Sequence, residues 1–239
     1  MHTLTYGSES VRYQICHVPR RKKSIAIHVN ADGSVQVDAP ARAGLQLIHE
    51  AVQKRARWVI QHVQKTREQR KYVLPREYVS GESYYYQGNS YPLRITKTTG
   101  KESVKLLRGQ FQILARDTAP ERIKTLLREW YRSHAKEYFA KRLADLSDKM
   151  PWVRATPEWK LRSMIRQWGN CSGSNKLTLN PHLIKAPREC IEYVLIHELC
   201  HIKEHNHSPR FYRLLSEQLP NWKATKTKLD GMSELLLNE

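Results

Sequence analysis

Residues 191–211 read IEYVLIHELCHIKEHNHSPRF. The apolar run before His197 predicts a helix over about 187–205, with H-E-x-x-H inside it. A spacing of four places His197 and His201 one turn apart on one helix face, where two imidazoles can share a metal ion. Glu198 stands beside them, within reach of a metal-bound water whose proton it can take. A catalytic zinc takes three protein ligands and keeps one position open. Glu204, His205, His207 and Glu217 compete for the third place. His205 would sit further along the same rigid helix, where it rarely closes a tetrahedron. Asn206 reads as a left-handed residue that ends the helix and swings His207 back toward the pair. His207 is therefore the expected third ligand, with Glu217 on the next helix as the alternative. Ser208 and Pro209 suit the cap and first position of that helix, which should run to about Leu219.

Working back along the chain, residues 160–168 and 176–180 read as strands around a loop over 169–175. Before them lies a long helix from Thr118 to near Pro151. Thr118 and Glu121 have capping-box spacing, and Ile123, Leu127, Trp130, Phe139 and Leu143 belong to its apolar stripe. Strands over 83–87 and 90–96 flank Gly88-Asn89, and strands over 104–107 and 110–115 flank Arg108-Gly109, both good tight-turn pairs. An amphipathic helix is expected over 45–71. The first forty residues alternate as strands, with a turn at Ala31-Asp32-Gly33 and a basic loop, RRKK, at 20–23. No internal repeat is visible. The expected fold class is α+β: a β-rich domain with one amphipathic helix over residues 1–116, then a helical domain with a small hairpin over 117–239.

The chain has 239 residues, of which 40% are hydrophobic and 27% charged, enough for a buried core. No window of 18 apolar residues and no signal-peptide pattern occurs, so no membrane partner is expected and the cytoplasm is the default compartment. Cys16, Cys171, Cys190 and Cys200 form no C-x-x-C pair and read as reduced thiols. The net charge of +18 favours polyanions, so the candidate partners are nucleic acid through the basic surface, nucleotides or an acidic protein. Solubility alone would account for the same charge.

The string HELCHIKEHNHSPRF resembles the YgjP-like metallopeptidase family, close to the SprT-like and WLM zinc metallopeptidases. RRKKSIAIHV, YYYQGNSYPLRI, WYRSHAKEYFAKRL and MIRQWGNCSGSNKLTLNPHLIKAP extend the resemblance over nearly the whole chain. The resemblance implies a minimal zincin-like core, with His207 supplied by an N-H-S-x-x-F segment. It also implies a hairpin over about 168–180 beside the metal cleft, whose edge strand pairs with extended substrate. Arg162, Arg166, Trp168, Asn170, Ser172 and Asn180 are the substrate-binding candidates on this reading. The family usually reads W-G-S-C-S where this chain has Asn170. Met232, after Gly231, reads as an exposed tail residue or a methionine turn.

Three activities fit these features. The first is zinc-dependent hydrolysis of peptides; manganese, nickel and cobalt also accept imidazole ligands. The second is pyrophosphate hydrolysis of a nucleoside triphosphate such as UTP, an activity also attached to the family, with Arg162, Arg166, Lys176 and Arg210 available for phosphates. The third is a nucleic-acid-associated protease, as SprT-like relatives suggest.

Overall fold

Inward-facing Val35, Val37 and Ala39 alternate with partly exposed neighbours along one strand, and this period of two fixes which face of the first sheet is buried. The computed structural model describes residues 1–7, 9–19, 24–29, 33–71, 75–165 and 167–238, with the backbone alone over 65–71. Strands β1 (His2–Tyr6), β2 (Glu9–Val18), β3 (Ala26–Val29) and β4 (Val35–Pro40) form a sheet in the order β1-β2-β4-β3. The central β2–β4 pair is parallel and the outer pairs are antiparallel. Helices α1 (Leu45–Gln53) and α2 (Ala56–Lys71) lay Ile48, Val52, Val59 and Val63 over Val11, Tyr13, Val35 and Val37. The single helix expected over 45–71 is thus two. At the break Arg55 N–H bonds to Val52 O, three residues back rather than four, which tightens the turn.

A second sheet has the same plan. Strands β5 (Ser83–Tyr86), β6 (Asn89–Lys97), β7 (Ser103–Leu107) and β8 (Gln110–Ala115) run in the order β5-β6-β8-β7, again with a parallel central pair. The registers agree residue by residue. Tyr13 faces Val35 as Leu93 faces Phe111, Ile15 faces Val37 as Ile95 faces Ile113, and His17 faces Ala39 as Lys97 faces Ala115. This repeat escapes the sequence because register and inward alternation are shared while most side chains differ. Arg108 and Gly109 both have positive φ, as their hairpin requires, but the first hairpin turns on Gln87 and Gly88, one residue earlier than expected.

Helix α3 (Pro120–Ser147) packs on the second sheet, with the Trp130 ring 4.9 Å from that of Phe111. Its capping box does not form. Ala119 takes the cap position, and Asp117 accepts its N–H. Phe111, Ile113 and Ala115 share one core with Ile123 and Leu127, so a seam at 116/117 would cut through buried surface. The compact units are instead Met1–Leu74 and Pro75–Glu239.

The second unit continues with β9 (Trp159–Leu161), β10 (Gly169–Cys171) and β11 (Leu177–Leu179), ordered β10-β11-β9. The strand expected over 160–168 is therefore short, and the expected loop opens with β10. Pairing with β11 overrides the weak strand propensity of Gly-Asn-Cys. A 3-10 turn (Pro181–Lys185) leads into α4 (Arg188–Cys200), α5 (Pro209–Gln218) and α6 (Trp222–Leu237). Helix α6 was not expected, and it places half-buried Met232 against the core, as neither a methionine turn nor an exposed tail. Helix α4 is buried almost all round, which explains its continuous apolar run. The fold is α+β. Among the described residues no helix is long and apolar enough to cross a membrane. The RRKK run, Ala31, Asp32 and Arg166 lie outside the described residues.

Candidate metal centre

His197 occupies the last turn of α4, and His201 caps its C-terminus. The helix closes with bonds from Ile202 N–H to Leu199 O and from Lys203 N–H to Cys200 O, both three residues back. Asn206 is not left-handed, contrary to the sequence reading. The chain reverses instead through a three-residue turn in which Ser208 N–H bonds to Asn206 O at 2.7 Å. Ser208 Oγ then accepts Phe211 N–H at 3.3 Å and starts α5 behind Pro209. His207, held inside this reversal, faces the helix it has just left.

His197 Nε2 lies 3.2 Å from His201 Nε2 and 3.1 Å from His207 Nε2. Nitrogens bound tetrahedrally at about 2.05 Å from zinc stand roughly 3.3 Å apart, so the cluster fits one ion. All the ligand atoms lie within 4.8 Å of one another, and among the described residues His197, His201 and His207 are the group that can hold a metal. His201 Nδ1 is 3.0 Å from Glu204 O. A carbonyl only accepts, so Nδ1 carries the proton and Nε2 presents a bare lone pair. His197 Nδ1 is buried with no hydrogen-bond partner. Wholly buried Phe211 underlies all three imidazoles, its ring centre 4.9 Å from His197, 4.5 Å from His201 and 4.8 Å from His207.

Burial, reinforced by the neighbouring imidazoles, pulls His197 down to about 3. Burial is also the main reason His201 and His207 lie below the usual histidine value. All three shifts favour the neutral imidazole, the form that binds metal. Glu198 is 5% exposed, its Oε2 has no hydrogen-bond partner, and burial pushes it up to about 8.

Glu198 rests against β10. A β-carbon on Gly169 would lie 2.6 Å from Glu198 Oε1 and 2.7 Å from its Cγ, closer than packing allows. Side chains alternate along a strand, so Cys171 faces the same side as the missing Gly169 side chain and Asn170 faces away. Consistent with that, the Cys171 thiol is pushed up to about 11 by burial and by the charge of Glu198. Asn180 N–H bonds to Trp168 O, and Ser172 N–H bonds to Lys176 O. By the antiparallel alternation, Asn170 also directs its backbone groups at β11. The N–H and C=O of Gly169 and Cys171 point to the open edge of the sheet.

The proposed substrate residues fare differently. Asn180 is wholly buried and spends its side chain on Met164 O, Gln167 O and His182 N–H, so it clamps the loop before β10. Ser172 Oγ accepts Lys176 N–H and contacts Ser174, closing the hairpin turn. Arg162 follows β9, beyond β11 from β10. Lys176 pairs with Glu158 at 2.6 Å. Trp168 is half-buried against the core, and Asn170 is exposed. Glu217 lines a separate cleft of about 760 Å³ with Tyr212 and Trp222, outside the histidine group. Sequence reasoning gave no role to Gly169 or Phe211, although both lie in the quoted motifs; the signal for Gly169 was a glycine directly after Trp168 in a segment read as loop.

A family model described as YgjP-like, metallopeptidase domain, matches residues 23–232. No curated protein matches the chain. Among solved structures, the crystal structure of the metallopeptidase zymogen of Pyrococcus abyssi abylysin is similar at 23% identity. The match covers 40% of this chain and 93% of that one, with a TM-score of 0.36.

Proposed function

Because the chain belongs to the YgjP-like metallopeptidase family, we propose that it hydrolyses peptide bonds with one zinc ion held by His197, His201 and His207 and with Glu198 as general base. The observation that carries this reading is the convergence of three Nε2 atoms, one of them freed for metal by the His201–Glu204 hydrogen bond. A bound dication would supply Lewis acidity to a water and to the scissile carbonyl. Three neutral imidazoles leave its charge uncompensated. Phe211 fixes the rings from below and keeps water off that side. Glu198, its affinity for a proton raised by burial, takes a proton at the carboxylate and returns it to the leaving amine. A nearby dication would lower that affinity toward the working pH. The open edge of β10 offers Gly169 and Cys171 backbone groups to an extended peptide, which would add as a strand.

Peptide is favoured over nucleoside triphosphate because two of the cations suggested for phosphates are engaged away from the histidines: Lys176 pairs with Glu158, and Arg162 follows β9, beyond β11 from β10. The test is zinc-loaded protein with an unfolded protein substrate and, separately, with UTP. New peptide termini that vanish in Glu198→Gln, with about one zinc retained per chain, are the expected result. Pyrophosphate release from UTP without peptide cleavage would replace this reading with the second.

A further inference from the structure

After the sheet plan that the two units share, the helical stretch of unit 1 is built differently from that of unit 2. Helix α3 runs unbroken from Pro120 to Ser147, whereas the corresponding stretch of unit 1 breaks between α1 and α2 at Lys54 and Arg55. Lys54, Arg55, Arg57, Trp58 and Gln61 line a groove of about 390 Å³ at this elbow, and all five are exposed. None of the three cations forms an ion pair with a described residue.

Trp58 is the one tryptophan of the six that is exposed, at 39%. It is also held in place. The His62 ring lies 4.3 Å from it, tilted by 33°, and His62 Nδ1–H donates to Trp58 O at 3.0 Å. Residues 1–74 carry 13 Lys and Arg against 5 Asp and Glu, compared with 28 against 18 over 75–239. Positive charge is thus densest in the unit that lacks the histidine cluster. A merely solvated helix face needs cations but no fixed, exposed indole among them.

We infer that the α1–α2 elbow binds single-stranded nucleic acid, with Trp58 stacking on a base and Lys54, Arg55 and Arg57 meeting the flanking phosphates. The ligand class follows from the pairing of chemistries. A duplex hides its base faces, and an acidic protein offers charge without them. An anionic membrane would want a broader apolar face than one indole, and the exposed Leu45 and Leu47 of α1 do not line this groove. Stacking accepts any base, so little sequence preference is expected. This inference is independent of the peptidase reading.

The test uses the full chain and fluorescence anisotropy with labelled oligothymidylate and oligouridylate of about 20 nucleotides, over about 50 to 200 mM salt. Both should bind, and the tighter of the two identifies DNA or RNA as the source. Trp58→Ala should weaken binding about tenfold or more with the salt slope unchanged, and Trp58→Phe should restore most of it. Replacing Lys54, Arg55 and Arg57 together by Ser should flatten the slope by roughly 2, about 0.7 for each phosphate left without its cation. The proposal is overturned by absence of binding at the lowest salt or by equal binding of Trp58→Ala. It is also overturned if a duplex or phosphatidylserine vesicles compete better than single strands.

Discussion

Gly169 and Glu198 touch so closely that residue 169 has no room for a side chain: its β-carbon would fall 2.6 Å from Glu198 Oε1. A methyl there must displace either the carboxylate or β10. Gly169→Ala should therefore lower turnover by about 10- to 100-fold, part of what a positioned general base contributes. The three histidines are untouched, so elemental analysis should find the metal content unchanged. Full activity in this variant would show that the close approach does not position the base.

Glu198→Gln should lose about 10²- to 10⁴-fold in turnover while keeping its metal. The same variant reports on stability in the metal-free protein. The folded-state value of Glu198 is raised from 4.5 to about 8, so its contribution is fully present below pH 4.5 and is lost as pH rises through about 8. Gln cannot ionise. Metal-free Glu198→Gln should therefore gain on the parent as pH rises through that window, by up to a few kcal/mol. Parallel denaturant midpoints across the range would contradict the assignment.

The histidine shifts have the opposite sign. Burial favours neutral His197, so its contribution is fully present above pH 6.5 and is lost as pH falls toward about 3. His201 and His207 are shifted in the same direction. Zinc uptake near pH 6 should then release fewer protons than three free imidazoles would, of which about three-quarters would be protonated. Calorimetry in buffers of different ionisation enthalpy counts those protons, and release of two or more would contradict neutral rings.

Phe211→Ala should cost about 3–5 kcal/mol of stability, as expected for a wholly buried phenylalanine. Phe211→Leu keeps more of the volume and should remain folded. Its looser support of three rings should weaken metal affinity by about 10- to 100-fold. Chelator competition measures this, and unchanged affinity would reduce Phe211 to ordinary core.

Asn180→Ala separates a clamp from a substrate-binding group. It leaves Met164 O and Gln167 O without their donor, at a cost of about 1–3 kcal/mol in denaturant unfolding. KM for peptide should stay near the parent value once the folded fraction is accounted for. A large rise in KM with unchanged stability would return Asn180 to the substrate.

What the sequence determined by itself was local. His197 and His201 share a face because a helix repeats every 3.6 residues, and Ser208-Pro209 starts α5 because of what a cap needs, so the motif and the start of the next helix were readable in a line. The tertiary structure alone decided the pairings between distant segments. Gly169 meets Glu198 only because β11 holds β10 in register, and Asn180 is a clamp only because the loop before β10 folds onto it. The division at Leu74 and the twin sheets likewise depend on strand order and buried faces. Helical periodicity is written within a few residues, whereas sheet pairing and packing depend on which remote surfaces meet, and no short stretch of residues encodes that choice.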